Sequence, residues 1–421
     1  MTTPAVLAGV FVAYGLLASR LERLFITAPI FFVAAGLALG PSGAGILASG
    51  LESETTLVIT ELTLGVLLFT DAATVRLKEV EGDASLPLRL LLVGLPLTIA
   101  LGTIAAKVLV PQAGWAAAGL IASILAPTDT ALGMAVVMNP SVPARIRRAL
   151  NVESGLNDGI ATPLVTLFLT LVLTDEGLGS GDWAAEAARD LGLAVVAAVA
   201  VGVLGGKLLM LARRRAWTSG MSEQLIVLAL SLLAYQGAVA IGGNGFVAAF
   251  VGGLLFGAST ASQVHEPVEF TETVGLFASF FVWTEFGALS VGAAITSDIE
   301  PVAILYAVVS LTMVRMVPVA TALAGTGMRL DTVGFIGWFG PRGLASVVFT
   351  LIAIEELHGV GPVAEDIAEL ATWTILLSAV AHGLSAGPLA RIYGRRLNGE
   401  ANIPELAPAP EPRIRRKKAS Q

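Results

Sequence analysis

Residues 151–163, NVESGLNDGIATP, bring two carboxylates, a hydroxyl and a carboxamide into a stretch that is otherwise apolar enough to span a membrane. On a helix, Ser154 and Asp158 lie four residues apart and share a face, while Glu153 and Asn157 share the adjoining face. A charged side chain at the centre of a bilayer costs roughly 2.5–3.5 kcal/mol or more, so such residues mark functional sites. The segment therefore predicts a polar site inside the membrane.

A second polar segment, LAPTDTALG at residues 125–133, supplies further oxygen atoms. If the two segments meet, the Thr128 carbonyl and the Asp129 carboxylate can join Ser154 and Asp158 around one ion. Such oxygen ligands suit a hard monovalent cation, and no cluster of histidine or cysteine indicates a transition metal. The ligand types do not distinguish lithium, sodium and potassium.

Glu153 faces away from these ligands and needs a cation of its own, because an unpaired buried charge is strongly unfavourable. Arg342 is the obvious candidate, since arginine stays charged and must itself be paired. Arg315 is either a snorkelling anchor at a helix end or the partner of another buried acid. Asn157 is neutral, so we expect it to order the crossing through hydrogen bonds to exposed backbone groups and not to bind the ion, with either a structural or a gating role.

The composition indicates the elements that position these residues. The chain has 421 residues, of which 55% are hydrophobic and 14% are charged, and its mean hydropathy is +0.81. These values exclude a water-soluble domain and predict many membrane-spanning helices. Apolar windows indicate thirteen spans, at residues 4–18, 25–47, 56–75, 87–110, 113–137, 150–174, 184–212, 223–242, 244–262, 273–296, 301–323, 332–354 and 367–390.

The distribution of basic residues predicts the orientation of these spans. Most of the 25 lysines and arginines fall in connections after odd-numbered spans or in the segment after the last span. The positive-inside rule then places the N-terminus outside and the C-terminus in the cytoplasm of a multi-pass protein of the cell (inner) membrane.

Helix-breaking signals recur at corresponding places of the two halves. The fifth span contains Pro127 beside Asp129, and the twelfth contains Pro341 beside Arg342. Proline removes a backbone donor and clashes with the preceding turn, so both helices should unwind there. We therefore predict an all-α polytopic fold of two inverted repeats, with discontinuous helices in spans 5 and 12 that cross in mid-membrane.

The segments APTDTALG, NVESGLNDGIATP, GGNGFVAAFVGGLLFG and GPRGLASVVFTL resemble those of monovalent cation/proton antiporters, in particular the sodium/proton exchanger branch with an Asn-Asp motif in span 6. The similarity extends over essentially the whole membrane part. It implies sodium, or lithium, bound by Asp158, Ser154, Asp129 and Thr128. It also supports the pairing of Glu153 with Arg342.

The resemblance implies an organisation as well. Residues 1–390 would form a transmembrane antiporter domain, with an ion-carrying core of spans 4–6 and 11–13 and a dimerisation scaffold of spans 1–3 and 7–10. Residues 391–421 would form a short, disordered cytoplasmic tail. The partners expected are protons, monovalent cations, membrane lipid and a second copy of the chain. Asp71, where family members often carry glutamate, is either a further ligand or a solvated residue at a helix end.

Exchange can be explained by one carboxylate, that of Asp158, which binds either a proton or a cation. Burial beside Asp129 disfavours the charged form of Asp158, and either a proton or a bound cation relieves that cost. Competition for one site, combined with alternating access, gives one-for-one and electroneutral antiport. No cofactor, nucleotide, nucleic acid or enzymatic activity is expected.

Three alternatives to sodium/proton exchange differ in what they require of the sequence. A potassium/proton antiporter would use the same ligand types. An intramembrane aspartyl protease would also hold two membrane aspartates, here Asp129 and Asp158, but it would not need an adjacent Glu-Arg pair or inverted broken helices. A channel would need a continuous pore, and the internal repeat favours a carrier instead.

Overall fold

A computed structural model of the chain describes residues 3–47, 54–75, 85–177, 182–261, 263–358, 361–400 and 403–409. Helices form the architecture, and the described residues contain no strand. In chain order, the helices are α1 (Thr3–Arg23), α2 (Ala28–Leu39), α3 (Glu54–Thr74), α4 (Ser85–Leu109), α5 (Trp115–Leu125), α6 (Thr130–Val137), α7 (Ala144–Asp175), α8 (Trp183–Arg214), α9 (Gly220–Ala240), α10 (Gly245–Ser259), α11 (His265–Thr296), α12 (Pro301–Ala322), α13 (Leu330–Trp338), α14 (Leu344–Glu356) and α15 (Pro362–Leu397).

The apolar helices make this a multi-pass membrane protein. Among the described residues, nine helices are long and apolar enough to cross a bilayer, and α2, α5 and α10 are shorter apolar helices. Each predicted span coincides with one helix or one pair of half-helices. The all-helical fold class is therefore confirmed, while the number of helices that cross the membrane stays a prediction.

Two spans are broken at the positions that proline predicts. Helix α5 ends at Leu125 and α6 begins at Thr130, with Pro127 between them. In the second half, α13 ends at Trp338 and α14 begins at Leu344, with Pro341 between them. These breaks leave backbone groups at the helix ends free to bind other groups.

The helices pack in two groups. Helix α5 packs against α4 and α7, and α15 packs against α6, α12 and α14. In the other group, α3 packs against α9, α10 and α11, and α10 also packs against α8. Backbones approach closely here: a side chain at Gly253 in α10 would collide with the backbone of Phe69 in α3. Small residues give membrane helices this close contact.

The structure differs from the expected disordered tail in two places. Helix α15 continues past residue 390 to Leu397, and its last turn carries Arg395 and Arg396, whose positive charges are favourable at a helix C-terminus. Residues Pro404–Leu406 form a 3₁₀ turn in which Glu405 is fully buried. Residues 401–402 and 410–421 of the tail lie outside the described part of the chain.

Candidate functional site

The two broken spans meet at their unwound segments. The backbone N–H of Asp129, between α5 and α6, donates to the carbonyl of Pro341, between α13 and α14, over 2.8 Å. Ser346 Oγ of α14 donates to the Ile124 carbonyl at the end of α5 over 2.7 Å. The crossing expected from the proline positions is therefore present, and each half-helix helps to satisfy the free backbone groups of the other.

Asp129 lies at the start of half-helix α14. Its Oδ2 accepts a hydrogen bond from the backbone N–H of Leu344 over 3.1 Å. A negative charge is favourable at a helix N-terminus, where unpaired N–H groups and the helix dipole meet it. The carboxylate fits because residue 343 is glycine: a Cβ on Gly343 would collide with the Asp129 side chain.

Two side chains of α7 hold the Thr128 segment. Ser154 Oγ donates to the Thr128 carbonyl over 2.6 Å. Asn157 Nδ2 donates to the Thr128 hydroxyl over 2.7 Å. Ser154 and Asn157 are both buried. Asn157 therefore contacts the crossing, as its polarity predicts, although it binds a side-chain hydroxyl and not a backbone group.

Asp158 follows on the Ser154 face of α7. Its Oδ1 is buried and has no hydrogen-bond partner among the described residues. Asp129 and Asp71 both lie close enough to act electrostatically on its carboxyl group. Asp71 therefore lies within electrostatic range of Asp129 and Asp158, and its role as a ligand stays a prediction.

The predicted pairing of Glu153 with Arg342 is wrong. Glu153 Oε1 pairs with Arg315 Nη1 of α12 over 2.6 Å, and both side chains are almost fully buried. The physical reason is close packing at the second break: a Cβ on Gly340 would collide with the Arg315 side chain, so glycine there admits the guanidinium. Arg315 was expected to be either a snorkelling anchor or the partner of a buried acid, and in the structure it is the partner of a buried acid.

Arg342 holds backbone groups instead. Its Nη1 donates to the Ala126 carbonyl over 3.0 Å, and its Nη2 donates to the Ser310 carbonyl over 3.4 Å. Ala126 is the C-cap residue of half-helix α5, where free carbonyls favour a cation. The backbone N–H of Arg342 donates to Ser378 Oγ over 2.7 Å. The side chain is fully buried.

Two serines at the crossing were not among the residues predicted from the sequence. Ser346 and Ser378 are fully buried and bind the broken segments. Ser378 also lies 3.1 Å from Nδ1 of His382, one turn further along α15. This spacing of four residues inside an apolar span was the available signal.

Three further polar side chains inside the spans are Glu285, Glu61 and His382, of which His382 lies beside the crossing through its contact with Ser378. Glu285 of α11 accepts a hydrogen bond from Thr60 of α3 over 2.9 Å, so it is a buried, hydrogen-bonded acid. Glu61 lies on the next position of α3, within electrostatic range of Glu356. His382 packs against the Trp338 ring, with ring centroids 5.0 Å apart.

A small cavity opens beside the crossing. Its polar lining consists of Thr128, Asp129 and Ser154. Apolar side chains complete the wall: Val136, Val137, Leu150, Phe339 and Pro341. The cavity lies on the side of the crossing where α6 ends and α7 begins.

Inverted half-helices that cross at buried carboxylates define the class of membrane carriers with discontinuous helices. The model of the family described as sodium/hydrogen exchanger, transmembrane, matches residues 7–392. This chain belongs to that family.

Solved structures and characterised relatives agree with this assignment. The sodium proton antiporter MjNhaP1 from Methanocaldococcus jannaschii, determined at pH 8, has the same fold, with a TM-score of 0.72, 20% identity and coverage of 92% of this chain and 97% of that one. The K(+)/H(+) antiporter NhaP2 of Shewanella sp. (strain ANA-3) is 24% identical over 88% of this chain. The Na(+)/H(+) antiporter NhaS2 of Synechocystis sp. is 28% identical over 61% of this chain and 44% of its own length. This chain spans 63% of the length of the NhaP2 relative.

Proposed function

We propose that this protein is a secondary antiporter that exchanges a monovalent cation, sodium or lithium, for protons by alternating access. A proton and the cation compete for Asp158. The family and the fold are those of transporters, and the names of similar proteins refer to cation/proton antiport. We propose no enzymatic reaction.

The observation that carries this proposal is that Asp158 has no basic partner among the residues that the structure describes. Arg315 forms an ion pair with Glu153, and Arg342 donates hydrogen bonds to backbone carbonyls. Asp158 instead lies within electrostatic range of two further carboxylates, Asp129 and Asp71. A buried carboxylate without a partner is costly, so Asp158 must hold either a proton or a cation from solution.

The neighbouring oxygen atoms suit a hard cation. The Ser154 hydroxyl hydrogen points to the Thr128 carbonyl, which leaves the lone pairs of Ser154 Oγ free. With Asp158, one oxygen of Asp129 and the Thr128 carbonyl, this gives a site of oxygen ligands only. Asp71 would complete it directly or through water. Asn157, Glu153, Arg315 and Arg342 would keep the two crossing segments in place.

The two helix groups suit two different roles, ion transport and dimerisation. We propose that α4–α7 and α12–α15 form the ion-carrying core, and that α1–α3 and α8–α11 form a scaffold through which two copies dimerise in the cell membrane. The polar site lies within the first group, and the backbones of α3 and α10 pack closely within the second. The basic connections favour an external N-terminus and a cytoplasmic C-terminus.

Potassium is the second candidate substrate, because several similar proteins are named K(+)/H(+) antiporters. Proteoliposomes loaded with a pH-sensitive dye and acidified inside would separate the candidates. External sodium or lithium chloride should alkalinise the lumen, and choline chloride should not. A stronger response to potassium than to sodium would select the second candidate, and no response to any of the three cations would refute cation/proton exchange.

A further inference from the structure

The segment after α15 folds back onto the crossing half-helices. Glu405, in the 3₁₀ turn Pro404–Leu406, is fully buried although the surrounding sequence is proline-rich and has no helical periodicity. Its Oε1 accepts hydrogen bonds from the backbone N–H of Arg329 and from Thr332 Oγ1, each over 2.8 Å. We name residues 403–406 the strap.

The strap binds the first turn of α13. Arg329 precedes this helix, so the Glu405 carboxylate satisfies one of its free N–H groups and places a negative charge at its positive end. Arg329 Nη1 also pairs with Glu400 over 2.7 Å. Helix α13 is only nine residues long, and its other end forms the crossing with Asp129.

The strap also binds α7 directly and is linked to α15 through Thr332 of α13. Arg145 Nη1, at the start of α7, donates to the Pro404 carbonyl over 2.6 Å. Thr332 Oγ1, already bound to Glu405, lies 3.0 Å from the Tyr393 hydroxyl of α15. Three helices of the proposed core are therefore joined at the same end by one short segment.

These joined ends enclose an apolar cluster directly beside the site cavity. Val136, Leu150 and Phe339 belong both to this cluster and to the cavity wall. Ile403 of the strap packs against the same cluster. The cluster thus separates the cavity at Asp129 and Ser154 from the end of the core to which the strap is bound.

We propose that Glu405 is a positioning residue that keeps this end of the core sealed, so that water and ions do not reach the cavity through the gap between α6, α7 and α13. Removal of the Glu405 carboxylate would break two hydrogen bonds between the strap and α13. The loss in stability at this contact would then exceed that from breaking a single hydrogen bond to a charged group. Local opening then exposes the cavity without unfolding the chain. The inference rests on the proposed function only in regarding the cavity as part of the transport site.

Thiol labelling tests the seal without a transport measurement. Because the chain contains no cysteine, a single introduced cysteine is the only thiol that can be labelled. The reporter is Val136→Cys, in the cavity wall, and the control is Val227→Cys, in α9 of the other helix group. Both valines are fully buried. The purified full chain in detergent is treated with a charged thiol reagent, and the rate of labelling is compared with and without Glu405→Ala.

Glu405→Ala should raise labelling at Val136→Cys by about tenfold or more, because the two lost hydrogen bonds shift a local opening equilibrium. Labelling at Val227→Cys should not change. Glu405→Gln should restore the slow rate, since its amide oxygen can accept both hydrogen bonds. Unchanged labelling in folded Glu405→Ala, or an equal rise at both reporters, would overturn the proposal.

A second variant covers the case in which Glu405→Ala does not fold. Arg145→Ala removes the hydrogen bond to the Pro404 carbonyl and leaves the Glu405 carboxylate in place. Faster labelling at Val136→Cys alone would support the seal, and an unchanged rate would overturn it. Because the reporters need no ion flux, failure here is distinguishable from failure of the proposed antiport.

Discussion

The buried charges around the crossing differ in what balances them. Glu153 has Arg315, Arg342 has two backbone carbonyls, and Asp129 has the N-terminus of α14. Asp158 has no such partner among the described residues. A charge that is already paired changes its state at great cost, so the residue without a partner is the one suited to carry a proton or a cation.

Asp158→Asn should therefore abolish exchange while leaving the fold intact. The amide has nearly the same shape, but it cannot alternate between a proton and a cation. Cation-driven proton flux in proteoliposomes should fall to the level of empty liposomes. Asp175→Asn, at the exposed end of the same helix, is the matched control and should keep full activity. Substantial flux in well-folded Asp158→Asn would refute the shared-site mechanism.

A double-mutant cycle tests the observed ion pair. Glu153→Gln or Arg315→Ala alone should lower stability by about 3–5 kcal/mol, because each leaves its partner's charge buried. The double variant should recover part of that loss, measured by thermal unfolding in detergent. A cycle of Glu153→Gln with Arg342→Ala should be closer to additive. Strong coupling to Arg342 and additivity with Arg315 would show that the pair is misassigned.

The sequence predicted that Glu153 needs an arginine but not which one. Arg315 and Arg342 are both buried, both positively charged and both in spans of the second half. The choice depends on how far α12 approaches α7 at the glycine of the second break, which is a tertiary distance. By contrast, the shared face of Ser154 and Asp158 follows from helix geometry alone and was predictable.

At the scale of elements, the crossing depends on backbone approach as much as on polar side chains. Two breaks bring the ends of four half-helices together, and Gly343 leaves room for Asp129 against the N-terminus of α14. The proline positions predicted both breaks, since proline acts locally. The folded strap was not predictable, because a short proline-rich segment has no periodicity and Glu405 is buried only by tertiary contacts.

Gly343→Ala should destabilise the crossing of the two broken spans, although the substitution adds only one methyl group. The added methyl group would collide with the Asp129 side chain, and overpacking of this kind costs about 1–3 kcal/mol. Both thermal stability and exchange should decrease. Gly334→Ala in α13 is the control, because a Cβ there meets no neighbouring atom and alanine favours a helix. Equal behaviour of the two variants would argue against close contact at Asp129.

At the scale of the whole molecule, the charge carried in each half of the cycle sets the voltage dependence. If only Asp158 changes its load, the core has the same net charge with a proton as with a monovalent cation. Exchange in proteoliposomes should then be unaffected by an imposed potential, whereas net movement of one charge would be biased by roughly 2.3 kcal/mol per 100 mV. A strong change of rate with voltage would implicate Asp129 or Asp71 as a second proton carrier.

Proton release on cation binding is the most direct test that one carboxylate serves both ions. The purified chain in weakly buffered detergent solution, at a pH where Asp158 is protonated, is titrated with sodium chloride while the pH is recorded. We predict the release of one proton for each sodium ion bound, and no release from Asp158→Asn. Sodium binding without proton release, or equal release from Asp158→Asn, would contradict competition at Asp158.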